Sequence, residues 1–141
     1  MSFAVAFLKP DCLKKKLART IYDIIEANGL RVVLRKRMRL NLPTVEELYH
    51  DWKDKDFYNG LCQYMVSGKI EVFVVEGNDA IGRLQKLVGE RDSTTRSPNT
   101  IRGRFATSDR ENVIHSTTNE ETFRREVTLL LGKEARKWLK S

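Results

Sequence analysis

Apolar and polar positions change their period several times along this chain, and each change marks an element. Residues 3–8 form an unbroken apolar run stopped by Lys9 and Pro10. Such a run predicts a buried strand that ends where proline has no N–H to continue a ladder. Leu13, Leu17, Ile21, Ile24 and Ile25 then recur at helical spacing, with Lys14, Lys15, Lys16 and Arg19 on other faces and Asn28-Gly29 as the stop. This predicts one continuous helix. Residues 30–38 alternate, with Leu30, Val32, Leu34 and Met38 on one face and Arg31, Arg35 and Arg37 among the other positions, as in a half-buried strand with a basic outer face. Past Pro43, Thr44 and Glu47 have the spacing of a capping box, which predicts a helix carrying Leu48, Tyr49 and Trp52. A polar break at 53–56 separates it from a second short helix over 57–65.

Ser67-Gly68 turns the chain into a strand over 69–76, where Ile70, Val72 and Val74 alternate with Phe73 and Val75 so that both faces are apolar. Gly77-Asn78-Asp79 then caps a helix with Ile81, Leu84, Leu87 and Val88. Residues 89–112 are polar, basic and nearly aperiodic, too long for a simple connection in a small domain and therefore expected to be functional. Val113-Ile114 predicts a brief edge strand, and Phe123, Val127, Leu130 and Leu131 a helix over about 120–131. The basic tail, 132–141, carries Trp138 and Leu139 and is expected to dock on its own domain or on a neighbouring subunit. This order of elements predicts an α+β fold, a ferredoxin-like sandwich with a four-stranded antiparallel sheet covered by helices. Periodicity does not supply the strand order or polarity. At 141 residues the chain is expected to be one domain.

Charge narrows the partners without choosing among them. With 26 Lys and Arg against 19 Asp and Glu, the formal charge is +7, which favours nucleotides, nucleic acid or an acidic membrane surface. Binding of nucleic acid by charge alone would be non-specific and salt-sensitive. Two cysteines, Cys12 and Cys62, argue against a disulfide framework and lack the repeated spacing of a zinc site. No run approaches the roughly 18 apolar residues of a membrane span. The first apolar run is interrupted by Lys9 and Pro10 before a cleavable signal could form, so a cytoplasmic location is the expectation.

The candidate chemistry lies at Lys9, Tyr49, Phe57, Arg102, Asn112 and His115, each an ordinary residue taken alone. Taken in order they are more informative. The runs FLKPD at 7–11, YHDWKDKDFYNGLCQYMVSG at 49–68, EGNDAI at 76–81, PNTIRGRF at 98–105 and NVIHS at 112–116 resemble the nucleoside diphosphate kinase family over roughly residues 3–130. The resemblance implies that His115 attacks the γ-phosphate of a nucleoside triphosphate, carries it as a pros-phosphohistidine, and passes it to a nucleoside diphosphate in a ping-pong cycle. A neutral imidazole is a competent nucleophile at neutral pH. It further implies Lys9, Tyr49, Arg102 and Asn112 as donors to phosphate and sugar, Glu126 as the carboxylate orienting the imidazole, and Phe57 with Leu61 against the base. Mg2+ is expected on the nucleotide phosphates without protein ligands, and a homo-oligomer, hexamer or smaller, as the assembly.

Several positions depart from the family pattern. Gln85 stands where an arginine is usual and Arg91 where a threonine donates to phosphate, so both are nucleotide-binding candidates of altered chemistry. Asp109 replaces the small apolar residue that closes on the base, and Arg104 an aspartate. Thr117 keeps a hydroxyl expected to reach Glu126. An alternative is a weakly catalytic relative that binds nucleic acid or protein through its basic faces, chiefly Arg31, Arg35, Arg37 and Arg39.

Overall fold

The computed structural model of the protein describes residues 1–139. Strand β1 (Ser2–Leu8) is followed by α1 (Pro10–Lys14), α2 (Ala18–Ala27), β2 (Arg31–Met38), α3 (Leu42–Leu48), a 3₁₀ turn at His50–Trp52, and α4 (Tyr58–Val66). Then come β3 (Ile70–Gly77), α5 (Ala80–Val88), α6 (Ile101–Phe105), β4 (Ile114–Ser116), α7 (Glu120–Leu131) and a 3₁₀ segment at Gly132–Lys137. The sheet order is β2-β3-β1-β4 and every pairing is antiparallel. That is the four-stranded antiparallel sandwich expected from the pattern of the chain.

The period of two in β1 and β3 divides the core. Val5 and Phe7 of β1 and Ile70, Val72 and Val74 of β3 face α3, α4 and α7. Ala4, Ala6 and Leu8, with Phe73 and Val75, face the side covered by α2 and α5. Because both faces of the two central strands are buried, a one-residue slip would exchange one core for the other, and the register Val5↔Val74, Phe7↔Val72 is strongly held.

Four expectations are corrected. The helix expected from Leu13 to Asn28 is two pieces, because Lys16 adopts a positive φ of 58° and breaks the chain between α1 and α2. Helix α3 begins at Leu42, not after Thr44. Its cap is Asn41, whose side chain accepts from the Thr44 N–H at 2.9 Å, and Pro43 sits in the first turn, where its missing N–H costs nothing. The apolar residues of β2 do not share one face. Val33 is an extra residue between Val32, opposite Val75, and Leu34, opposite Val74, and this bulge sends Leu30 and Val32 to one core but Leu34 and Met38 to the other. The segment 89–112 holds the one-turn helix α6, capped by the Thr100 hydroxyl on Gly103 N. The tail docks on its own chain. Trp138 meets Phe3 edge-on at 5.2 Å and Glu134 pairs with Lys36 at 2.6 Å, while residues 140 and 141 lie outside the described residues.

Among the described residues, the turn into β4 holds the one β-branched residue at positive φ. Ile114 N–H donates to the Asn112 carbonyl at 2.8 Å, forming a three-residue turn that holds Val113 at a φ of 65°, a strained value for a β-branched residue. Neighbouring bonds hold it there. The Val113 N–H donates to the Asp11 carboxylate at 3.0 Å and its carbonyl accepts from Lys9 N–H at 2.8 Å. Asp11 also accepts from the Tyr64 hydroxyl. Asp11→Ala removes the acceptor for a buried N–H and for a phenol, so a loss of about 1–3 kcal/mol is expected, measured by urea unfolding.

Candidate active site

The site forms where β4 leaves this turn. Antiparallel pairing sets His115 opposite Phe7, and the two rings stack at 4.7 Å and 12° on the face covered by α3, α4 and α7. Helix α7, capped by Asn119 on Thr122 N–H, brings Glu126 to the imidazole: Nε2 lies 2.8 Å from Oε1, with side chains only 17% and 3% exposed. An ionised carboxylate only accepts, so Nε2 carries the proton and Nδ1 keeps its lone pair. Thr117 does not reach Glu126. Its hydroxyl donates to the Val5 carbonyl at 3.3 Å because it is turned into the β1 ladder.

Tyr49, at the end of α3, meets the His115 ring edge-on at 5.8 Å. Burial first, and the Glu126 charge second, hold its phenol above the usual range, so it remains a donor. The aromatic beside Lys9 is a different one, Tyr64, with its ring centroid 5.9 Å from Nζ.

Lys9, one residue past β1, is only 3% exposed. Its ammonium donates to the Arg110 carbonyl at 2.6 Å and to Asn112 Oδ1 at 2.9 Å. Burial chiefly, then the positive charge of Arg102, lowers its pKa to about 7; Arg91 and Arg110 act the same way against the raising effect of Asp11. Asn112 was expected at the sugar. Its amide is largely committed, with Oδ1 on Lys9 and Nδ2 donating to the Asp109 carbonyl at 2.9 Å.

Arg102 projects from α6 and uses three of its N–H groups on backbone: Nε and Nη2 on the Ile114 carbonyl at 3.2 and 2.8 Å, and Nη1 on that of Gly89 at 3.1 Å. One N–H on each terminal nitrogen is left, and burial lowers the guanidinium to about 10, so it remains charged at neutral pH. Gly103 is needed beside it, since a Cβ there would overlap the Ser97 carbonyl.

Phe57, Arg91 and Asp109 line one cleft of about 370 Å³, together with Arg110. The Arg91 guanidinium lies over the Phe57 ring at 4.6 Å, and Asp109 accepts from Ser93 N–H at 2.8 Å. Leu61 is buried in the adjoining core and is not part of the cleft lining, whereas exposed Gln85 lines a separate depression with Thr95 and Ser97. Sequence reasoning missed Trp52, Tyr64, Asp11 and Arg110 as parts of the site. Asp11 lies inside the FLKPD run and Trp52 and Tyr64 inside the run at 49–68, so those motifs carried a signal for them, whereas Arg110 lies outside every such run.

A half-buried imidazole oriented by a carboxylate, beside cations that lack carboxylate partners, suits transfer of a phosphoryl group between polyanions. The nucleoside diphosphate kinase family model matches residues 3–135. The chain belongs to the nucleoside diphosphate kinase family. The nucleoside diphosphate kinase of Metallosphaera sedula is 39% identical over 125 residues, covering 89% of each chain. That of Sulfurisphaera tokodaii is 35% identical over 127 residues, covering 90% of this chain and 86% of the relative.

Solved nucleoside diphosphate kinases share the fold closely. The apo enzyme from Encephalitozoon cuniculi gives a TM-score of 0.91 at 26% identity, covering 99% of this chain and 100% of the other. The Halobacterium salinarum enzyme in complex with CDP gives 0.88 at 29% identity, with 99% of each covered. This kinase is thus a phosphotransferase acting between nucleoside triphosphates and diphosphates.

The buried lysine makes the stability of the kinase depend on pH. Between pH 7 and the ordinary lysine value of 10.5 the unfolded chain holds a proton that folded Lys9 has released, so Lys9 opposes folding least at the upper end of this window. The unfolding free energy of the unliganded protein should therefore rise from pH 7 to 10 relative to a Lys9→Met variant. Parallel pH profiles of the two proteins in urea would contradict this.

Proposed function

We propose that this chain, as a single domain with a basic tail, transfers the γ-phosphate of a nucleoside triphosphate, typically ATP, to a nucleoside diphosphate through a phosphohistidine on Nδ1 of His115. The supporting observation is the 2.8 Å pairing of Nε2 with Glu126, which leaves the lone pair on the other ring nitrogen to act as the nucleophile. In the first half-reaction the Nδ1 lone pair forms a bond to the γ-phosphorus. The bond from that phosphorus to the β–γ bridging oxygen breaks, and the diphosphate departs with the electron pair. The second half-reaction is the reverse with another nucleotide. A terminal β-phosphate oxygen attacks, the N–P bond breaks, and its electrons return to Nδ1. One site then serves donor and acceptor in turn.

The surrounding groups neutralise and position. Lys9, Arg91 and Arg102 meet the phosphates, and Tyr49 offers its phenolic proton to the group in transfer. Asn112 holds the Lys9 ammonium and directs its remaining amide hydrogen to the sugar. Phe57, backed by Leu61, receives the base, with Asp109 across the cleft. Gln85, outside this cleft, contributes less than a cation would. A magnesium ion carried by the nucleotide phosphates, beside Lys9, Arg91 and Arg102, would supply further charge neutralisation. Lys9, Arg91 and Arg102 suit a magnesium nucleotide held by its phosphates, and among the described residues no group of three or more His, Cys, Asp or Glu side chains is placed to hold a metal ion.

A homo-oligomer, hexamer or smaller, and a cytoplasmic location belong to the same proposal. Among the described residues no helix is long and apolar enough to cross a membrane. The arginines of the β2 region are engaged within the chain: Arg31 with Glu76, Arg35 over the Tyr22 ring, Arg37 with Glu71 and Arg39 with the Val66 carbonyl. These contacts favour the kinase reading over a nucleic-acid-binding module.

Incubation with γ-labelled ATP and magnesium should leave acid-labile, alkali-stable label on the protein that a GDP chase removes as GTP. His115→Ala should take up none. Glu126→Ala should label up to about 100-fold more slowly, because the imidazole loses its orientation. Equal labelling of wild type and His115→Ala would overturn the assignment.

A further inference from the structure

Arg91 stands on the surface where a base would stack. Its guanidinium carbon lies 4.6 Å from the Phe57 ring centre and 5.0 Å from that of Trp52, and the two rings meet edge-on at 5.5 Å. A stacked ring needs its centre about 4.5 Å or more from its partner, the space this guanidinium fills. Arginine and base cannot both occupy that face of Phe57. The neighbouring charges explain the resting position. Arg102 and Arg110, with Lys9 where it is protonated, make the phosphate side basic, and the charge of Arg91 bears on both Lys9 and Arg102, while Asp109 and Glu111 line the cleft beside Phe57. Without an anion this basin repels Arg91, and the electron-rich faces of Phe57 and Trp52 offer it the better environment. A di- or triphosphate reverses that preference.

We propose that Arg91 is a shutter over the base platform, resting on Phe57 and Trp52 in the empty site and drawn off by the phosphates of an arriving nucleotide. The proposal rests on Phe57 being the base platform. It makes acceptance of the base conditional on a phosphate chain: a nucleoside must displace the guanidinium with nothing to receive it, whereas a nucleotide supplies the anion that Arg91 moves to. The site thereby discriminates against nucleosides, which share the base and sugar of the substrates but have nothing to transfer. The rings also form a continuous series toward the reacting group, since Trp52 stacks on Tyr49 at 5.5 Å and 18°, and Tyr49 meets His115. The shutter therefore rests at one end of the aromatic wall that the nucleophile closes at the other.

Dissociation constants for adenosine and for ADP with magnesium, measured by calorimetry on wild type, Arg91→Ala, Arg91→Lys and Phe57→Ala, test this. Arg91→Ala should bind adenosine roughly two- to fivefold more tightly, the strength of one exposed cation–π contact, and ADP more weakly. Arg91→Lys, which keeps the charge but loses the planar stacking group, should also gain affinity for adenosine while holding ADP better than alanine does. Adenosine affinity unchanged or lowered in both Arg91 variants, with Phe57→Ala still weakening it, would overturn the shutter and leave the platform intact. Adenosine binding indifferent to Phe57→Ala would overturn the platform reading and the shutter with it.

Discussion

The site depends on three residues of β-pairing. Strand β4 runs only from Ile114 to Ser116, yet its register with β1 sets His115 opposite Phe7 and so decides which side of the sheet the imidazole faces. On that side α7 supplies Glu126. On the other it would face the core formed with α2 and α5. A strand so short has little ladder to resist slipping, and the turn at Val113 compensates. The strained φ at Val113 is held by Asp11 and by the Lys9 N–H, which join the end of β1 to the start of β4. Lys9 and His115, 106 residues apart in sequence by their numbers, are thereby placed in one unit.

Around that unit the protein buries cations without matching carboxylates. Lys9 donates to a carbonyl and an amide, and Arg102 to two carbonyls, all of them neutral acceptors. Such an arrangement opposes folding, as the depressed Lys9 pKa records, and it suits a site whose partner is a polyanion. The same acceptors fix where the charges sit before substrate arrives, so little reorganisation is needed during transfer. Arg91 is the exception. Its guanidinium lies against aromatic faces instead of backbone acceptors.

Much of this was legible in the sequence because the relevant patterns are local. The apolar runs of β1 and β3, the amphipathic stripe of α7 and the motif around NVIHS report burial and chemistry over a few residues. The failures have local causes too. A single residue at positive φ, Lys16, divided a helix whose apolar spacing is continuous, and one inserted residue, Val33, moved half of β2 to the opposite face without disturbing the count of apolar positions. Capping was misplaced by three residues because Asn41 and Thr44 are both plausible caps, and only the hydrogen bond tells them apart.

By itself the sequence determined the class of fold and, through its family motifs, pointed to His115 and to most of the residues gathered around it, since period and motif are properties of neighbouring positions. Tertiary structure alone decided what those residues do to one another. Asn112 became the acceptor that holds Lys9, and Thr117 was turned away from Glu126. Gln85 was left outside the cleft, and Arg91 was set on two aromatic rings contributed by another part of the chain. The physical reason is that directional contacts depend on strand register, backbone dihedrals and the positions of distant side chains, none of which leaves a periodic trace in the chain that encodes them.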